Sequence, residues 1–424
     1  MSESSQKPSA PPRGMRDFYP EDMQLRNAIF AAWIQAAGQF GFSQYDSCVV
    51  ESLDLFTRKA GEEIVDQIYA FTDKSGRGLA LRPEMTPTLA RMVAAHQNSL
   101  VFPIKWFAIA QCFRYERMSR GRKREHFQFN LDIIGEEQPT AELETLACAV
   151  HALEIMGLKR SDFIVKFSSR ALLSGLMQMA GISAESHHAV FLALDKRGKL
   201  NDDEVADHLI TAGLNTEQID SVFKLLNIEN FESVLSLGGD DLPCISHIQN
   251  FVGLLKEYEL QDVVNFDISI VRGLGYYTGL VFEAFDAKGK FRALFGGGRY
   301  DNLLADLGGK DMTAVGLGFG DVVVAELIND IGLAKSLSKQ FDLAIGYMTL
   351  EQRSAALKLA VKLRNAGLAV DLALAPEKAR RFFSRVGRGD FFRATYIGPD
   401  DMTTGKAKIK NLSDQTEELI DLTQ

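Results

Sequence analysis

Residues Trp106 to Gly135, WFAIAQCFRYERMSRGRKREHFQFNLDIIG, constrain the fold more than any other stretch, because they read as two strands joined by a charged loop. Period-2 alternation puts Trp106, Ala108, Ala110, Cys112 and Arg114 on one face of the first strand, with Phe107, Ile109, Gln111, Phe113 and Tyr115 on the other. Arg114 therefore ends a face that is otherwise apolar. In the second strand Phe127, Phe129, Leu131 and Ile133 share one face, and Gln128, Asn130 and Asp132 line the opposite one. A polar row of that kind is either wet surface or the floor of a site. Arg114, Arg117, Arg120, Arg122, Lys123 and Arg124 put six positive charges along the strand end and loop. Such a density suits phosphate, which arginine meets with paired donors.

The chain around this loop has the opposite charge balance. Its 424 residues carry a formal charge of -9, which excludes a surface that binds nucleic acid throughout and makes any such contact local. The length suits two or three domains. Four widely spaced cysteines, Cys48, Cys112, Cys148 and Cys244, form no C-x-x-C pair, which argues against disulfides and zinc sites and for a reducing cytoplasm. The start lacks an apolar h-region and no run of about 18 apolar residues occurs, so neither a secretory signal nor a membrane span is expected.

Taken in order, a Ser- and Pro-rich start precedes a helix from about Pro20 to Gly38, with Leu25, Ile29, Trp33 and Ala36 at helical spacing. Strands are expected at Phe42 to Glu51, Ile68 to Asp73 and Leu79 to Arg82, the last running into a helix begun by Thr86 and Pro87 with Glu84 at its mouth. Beyond the basic hairpin, Pro139 and Thr140 start a long packing helix. Residues from about 169 to 260 read as an all-helical insertion. A strand then ends at Arg272, broken by Gly273 and Gly275, and a hairpin of LVFEAFD and FRALF leads to GGGRYD. Strand Ala314 to Phe319 feeds a helix capped by Asp321. The reading is an α+β domain over residues 1–332, a polar linker, and a small alternating α/β domain over 341–424.

Each motif also has an unremarkable reading. A basic loop is often a solvated hairpin, the glycines at 296, 297 and 298 suit a turn, and Arg272 suits a salt bridge at a strand end. GLGFG lacks the parallel βαβ context of a dinucleotide site, and no phosphate loop of the G-x-x-x-x-G-K-S/T type occurs. The seven histidines form no H-E-x-x-H pair.

Together, however, the motifs carry a resemblance. FRYER followed by GRKREHFQFNLDIIG resembles motif 2 of class II aminoacyl-tRNA synthetases, and LRPEMTP, VRGLGYYTG and GGGRYDNLL resemble the further signatures of the histidyl-tRNA synthetases. The match runs in order from about Arg13 to Ile331, and its wording is most similar to the branch that includes plant organellar enzymes. The resemblance implies a class II antiparallel sheet flanked by helices, with residues 341–424 as an anticodon-binding-type domain. It implies that Arg114 and Arg272 are catalytic cations at the α-phosphate of ATP, and that Glu116 and Arg122 hold adenine and the other phosphates. Glu84, Thr86, Gln128 and Asp132, with Tyr276 and Tyr277, would bind L-histidine. The implied reaction forms histidyl-adenylate and passes the acyl group to tRNA(His), with Mg2+ assisting the phosphates, no metal held by protein ligands alone, and no protein nucleophile. A homodimer is implied because motif 1 is an interface element in this class.

The chain departs from the family pattern at four places. Val323 stands where motif 3 carries the arginine of Gly-x-Glu-Arg, Gly275 replaces the aspartate of Arg-Gly-Leu-Asp, Cys48 takes the motif 1 proline, and Asp132 replaces a glutamate. Two alternatives follow: a catalytically silent paralogue that serves as a histidine-binding regulatory subunit of ATP phosphoribosyltransferase, or a synthetase of the same class for another amino acid. Loss of the motif 3 arginine favours the first, retention of Arg114, Arg272, the basic loop and a C-terminal domain opposes it, and the Tyr276 and Tyr277 pair opposes the second.

Overall fold

The computed structural model describes residues 10–57, 65–197, 200–228, 230–237, 241–272, 275–337, 341–389 and 391–422. Gly273, expected to break a strand, lies outside the described residues. The chain divides into two compact units, Met1–Leu333 and Ala334–Gln424.

In the first unit the strands are β1 (Ser43–Gln44), β2 (Val50–Ser52), β3 (Tyr69–Thr72), β4 (Gly78–Leu81), β5 (Ile104–Phe113), β6 (Glu125–Ile134), β7 (Phe163–Ser169), β8 (Val264–Phe266), β9 (Leu280–Asp286), β10 (Phe295–Arg299) and β11 (Ala314–Gly320). Eight of them form one sheet in the order β1-β5-β6-β11-β10-β9-β7-β8. It is antiparallel through its middle, while β1 joins β5 and β8 joins β7 in parallel at the edges. The basic hairpin is β5 and β6, in a register that sets Trp106 opposite Asp132, Ala108 opposite Asn130 and Ala110 opposite Gln128. Opposite residues share a face, so the small side chains of β5 and the polar row of β6 point the same way.

The other face carries the core. Helix Pro20–Gln39 starts on a proline, and Asp22 Oδ2 accepts a 3.1 Å bond from Tyr19 N. It lays Trp33 on this face, stacked on Phe129 at 5.5 Å and edge-on to Phe319 at 5.3 Å. Truncating a side chain buried so fully costs about 3–5 kcal/mol. Helix Thr140–Ile155 buries Leu143, Leu146, Ala147, Val150 and Leu153.

Several boundaries differ from those expected. The three glycines are not a turn but lie in β10, and the FRALF segment is strand only from Phe295. The strand expected up to Arg272 stops at Phe266, because Asp267 accepts bonds from Ser269 and turns the chain. Phe42 to Glu51 is broken into β1 and β2, since Arg82 donates to Ser47 O at 3.0 Å where a straight strand would run. The strand β7 was not foreseen. Asp321 is the first helical residue of Asp321–Asp330 and not its cap, which is Gly320; its carboxylate instead accepts from Phe127 N at 2.9 Å and pairs with Arg16 at 3.0 Å. Between β7 and β8 the described chain is helical, with Arg170–Met179, Ala184–Asp195, Asp202–Thr211, Thr216–Leu226, Phe231–Ser236 and Ile245–Glu257.

The second unit holds β12 (Phe341–Tyr347), β13 (Val370–Leu372), β14 (Phe391–Ile397), β15 (Lys406–Asn411) and β16 (Glu417–Asp421), in the order β13-β12-β14-β15-β16. Its first three strands are parallel, as crossover helices Arg353–Asn365 and Ala379–Val386 require, and β15 and β16 close it as a hairpin. Leu343, Ile345, Leu359 and Ile397 lie in a core of its own.

Candidate active site

The polar row of β6 continues into a cavity of about 870 Å³ above the middle strands. Of the expected residues, Arg114, Glu116, Arg122, Gln128 and Arg272 line it. Glu84, Thr86, Asp132, Tyr276 and Tyr277 form a more buried chamber beside it, described below.

Glycines make the floor. Gly316, Gly318 and Gly320 of β11 lie opposite Asp132, Asn130 and Gln128. A Cβ on Gly316 would overlap Asp132 Oδ1, and one on Gly318 would overlap Gln128 Nε2 and lie 2.7 Å from Cδ. On β10, a Cβ at Gly296 would overlap Arg272 Nη1 and sit 2.6 Å from its Cζ. The missing side chains are the space into which the three polar ones lie.

Arg114 leaves the end of β5 and donates Nε to Pro83 O at 2.9 Å, so it is tied to the segment that carries Glu84. That segment is placed by Arg82, a buried arginine whose Nε donates to Gln111 O at 3.0 Å. Glu116 and Arg122 pair at 2.7 Å across the loop base. Arg272 pairs with Glu283 at 2.9 Å and lies 5.6 Å from the Tyr277 ring centroid. Its backbone is left-handed at φ 52, which costs a non-glycine residue about 1–3 kcal/mol and persists only where neighbours enforce it. Arg170 does so. Its buried guanidinium donates to Val271 O at 3.0 Å, Arg272 O at 2.5 Å and Tyr277 O at 3.4 Å. Burial among these carbonyls lowers the Arg170 pKa to about 10.

In the chamber, Tyr276 Oη donates to Glu84 Oε2 at 3.2 Å, and Tyr300 Oη donates to Asp132 Oδ1 at 2.6 Å. The rings of Tyr276 lie 4.9 Å from Tyr277 and 5.8 Å from Tyr300. Thr86, buried at the first turn of helix Thr86–His96, reaches the Tyr276 hydroxyl. Asp132 Oδ2 and Asn130 Oδ1 are buried without a hydrogen-bond partner among the described residues. An orphaned buried acceptor of this kind calls for a donor from a ligand or water. Burial raises Asp132 to about 7 against the opposing Tyr300 hydrogen bond, and raises Glu84 against the pull of Arg114. Burial, then Arg114 and Arg16, push the His126 imidazole at the cavity wall down to about 3, so it stays neutral.

The cavity can take a polyanion over Arg114, Arg122 and Arg272, while the chamber can take a small cationic or N–H-bearing group at Glu84 and Asp132. Among the described residues no three His, Cys, Asp or Glu side chains converge as a metal site, and Glu116 and Glu283 are already tied to arginines. Both carboxylates line the cavity, so either could join phosphate oxygens in holding magnesium. Sequence reading missed Arg170 and Tyr300. Tyr300 stood in the quoted GGGRYD motif, whereas Arg170 resembled an ordinary helix start.

Comparison with known proteins gives the family of the chain. The family described as histidyl-tRNA synthetase matches residues 14–320. The chloroplastic/mitochondrial histidine–tRNA ligase of Arabidopsis thaliana is 40% identical over 403 residues, spanning 95% of this chain and 83% of the plant protein. The histidine–tRNA ligase of Opitutus terrae is 39% identical over 410 residues, spanning 95% and 94%. The crystal structure of histidyl-tRNA synthetase from Nostoc superposes with a TM-score of 0.81 at 21% identity, over 98% of this chain and 97% of that one, and shares the fold. The ligase names of both relatives favour an enzyme over the regulatory-subunit alternative. The chain belongs to the histidyl-tRNA synthetase family.

Proposed function

We propose that this chain is a histidine–tRNA ligase whose adenylate forms where the arginine-lined cavity meets the buried chamber. The observation that carries the reading is the pairing of Arg114 and Arg272 over the glycine floor with the Glu84–Tyr276 and Asp132–Tyr300 pairs beneath. Histidine binds with its amino group at Glu84, Thr86 and Gln128 and an imidazole N–H at the orphaned Asp132 Oδ2. The chamber rings of Tyr276 and Tyr277 enclose the imidazole.

ATP lies with its α-phosphate between Arg114 and Arg272 and its adenine and remaining phosphates at Glu116 and Arg122. A carboxylate oxygen of histidine attacks the α-phosphorus as the bond to the bridging oxygen breaks, and that oxygen leaves with the electron pair as pyrophosphate. Arg114 and Arg272 offset charge that grows on the phosphoryl oxygens, a form of stabilisation that needs no protein nucleophile. A hydroxyl of the tRNA terminal ribose then attacks the acyl carbonyl, and AMP departs. The basic loop at Arg117, Arg120 and Lys123 supports contact with the tRNA acceptor end, and the second unit supports contact with the anticodon.

The assembly is a homodimer in the cytoplasm under this reading; Cys48, at the motif 1 position, is exposed and available to an interface. Among the described helices none is long and apolar enough to cross a membrane. Histidine-dependent exchange of pyrophosphate into ATP tests the function. Exchange that requires histidine supports it, and histidine binding without exchange would return the regulatory reading.

A further inference from the structure

We propose that Arg292, which no motif marks, holds the terminal phosphates of ATP and stabilises pyrophosphate as it leaves; this rests on the ATP reading above. Six cations line the cavity against three carboxylates, Glu116, Asp195 and Glu283. Arg122 pairs with Glu116, Arg272 with Glu283 and Arg197 with Asp202, so each carries a carboxylate beside it. That leaves Arg114, Lys123 and Arg292 without a carboxylate partner among the described residues. Arg114 is held by Pro83 O, and Lys123 is exposed. Arg292 is half-buried and fixed from both sides.

Its backbone position is set by Asp286, a buried carboxylate that accepts from Lys290 N at 2.9 Å and Phe291 N at 2.7 Å, and by Leu294 N donating to Ala284 O at 2.7 Å. Its stem is set by Gly121 at the tip of the basic loop. A Cβ there would lie 3.8 Å from Arg292 Cδ and 3.3 Å from Val323 Cγ2. The tip is itself anchored, since Glu326 accepts from Gly121 N at 3.0 Å and pairs with Arg120 at 3.1 Å. Val323 thus supplies an isopropyl group where motif 3 was expected to supply a cation, and Arg292 passes the same glycine. Arg292 precedes Gly296, the seat of Arg272, by four residues, a span of at most ~14 Å of extended chain. Both arginines line the same cavity, Arg272 at the α-phosphate and Arg292 at the terminal phosphates. As the bond from the α-phosphorus to the bridging oxygen breaks, the electron pair stays on that oxygen, and the charge of the departing pyrophosphate grows toward Arg292.

The test is pyrophosphate exchange by the full chain and by Arg292→Ala and Arg292→Lys, with AMP as a competing ligand. Arg292→Ala should raise the KM for both ATP and pyrophosphate by roughly 10- to 100-fold, the loss expected for a charge-assisted contact. Arg292→Lys should recover part of it, and inhibition by AMP, which lacks the terminal phosphates, should be unchanged. Unaltered KM values in Arg292→Ala, or AMP weakened as much as ATP, would overturn the assignment while the ligase reading stands. No exchange by the unsubstituted protein would overturn both.

Discussion

Gly296→Ala is the substitution that most directly tests whether the glycine floor exists for the arginine above it. The added methyl would overlap Arg272 Nη1 and sit 2.6 Å from Cζ, against about 3.5–4.0 Å for an ordinary carbon contact. The guanidinium must retreat by about 1 Å or more, and it loses its 2.9 Å pairing with Glu283. A catalytic group misplaced on that scale costs about 10²-fold in rate, and complete loss of a preorganised charge about 10²–10³-fold, or ~2.7–4 kcal/mol. Stability should move far less. The obstructing atoms are the end of a flexible side chain, the ion pair is partly exposed, and alanine is no worse than glycine in a strand, so ~1 kcal/mol or less is expected. Histidine-dependent pyrophosphate exchange beside urea denaturation separates the two effects. The sharper measurement is a cycle with Arg272→Ala. If the methyl acts only by displacing Arg272, it should add almost nothing once that side chain is gone. A Gly296→Ala enzyme within threefold of wild type, or a double variant about tenfold worse than Arg272→Ala alone, would refute the reasoning.

Asp132 sets a pH dependence of stability. Its carboxyl rises from an ordinary 3.8 to about 7 in the fold, so across that window the native state binds the extra proton. Stability of the ligand-free protein should therefore fall as pH rises through the window, by up to ~1.4 kcal/mol per unit from this group, and level off above it. Asp132→Asn should remove that slope, as denaturation at several pH values would show; an identical slope in the variant would dissociate the effect from Asp132. Arg170→Met keeps an aliphatic stem but removes the guanidinium that lies 4.7 Å from the Phe191 ring centroid, and it leaves the carbonyls of Val271, Arg272 and Tyr277 without their donor. A loss of about 2–4 kcal/mol is expected on denaturation, with exchange activity reduced even where the protein is fully folded. Unchanged stability would show that the loop is held by other contacts. Deleting residues 341–424 should spare histidine-dependent exchange and weaken aminoacylation of tRNA, and equal loss of both would contradict the proposed roles of the two units.

What was legible in the sequence was whatever repeats at short range. Alternation in β5 and β6 identified both faces of the hairpin, and the register confirmed that Ala108, Ala110, Gln128, Asn130 and Asp132 share one of them. Proline at the start of Pro20–Gln39, with Trp33 and Ala36 on its apolar face, was likewise local. The chamber was not, because its bonds join positions far apart: Glu84 with Tyr276 across 192 residues, and Asp132 with Tyr300 across 168. Nothing within a short window pairs such residues. The resemblance named the ligand-facing ones, but it was silent on Arg170, whose three bonds run to backbone carbonyls about a hundred positions away.

The glycines show where a stricter use of the same short-range rule would have gone further. Gly316, Gly318 and Gly320 recur at period 2 between Val315, Leu317 and Phe319, and that is the period of one strand face. Read as a dinucleotide loop, GLGFG has no context; read as a strand, it has one face of buried apolar side chains and one face with none. A strand stripped of side chains on one face, beside a strand whose polar row points the same way, leaves room that only the neighbours' side chains can occupy. Asp132 and Gln128 occupy it over β11, and Arg272 does so over Gly296. Alternating glycine in a buried strand is thus a sequence-level mark of a site floor, and the identity of the polar row opposite it indicates which chemistry the floor supports.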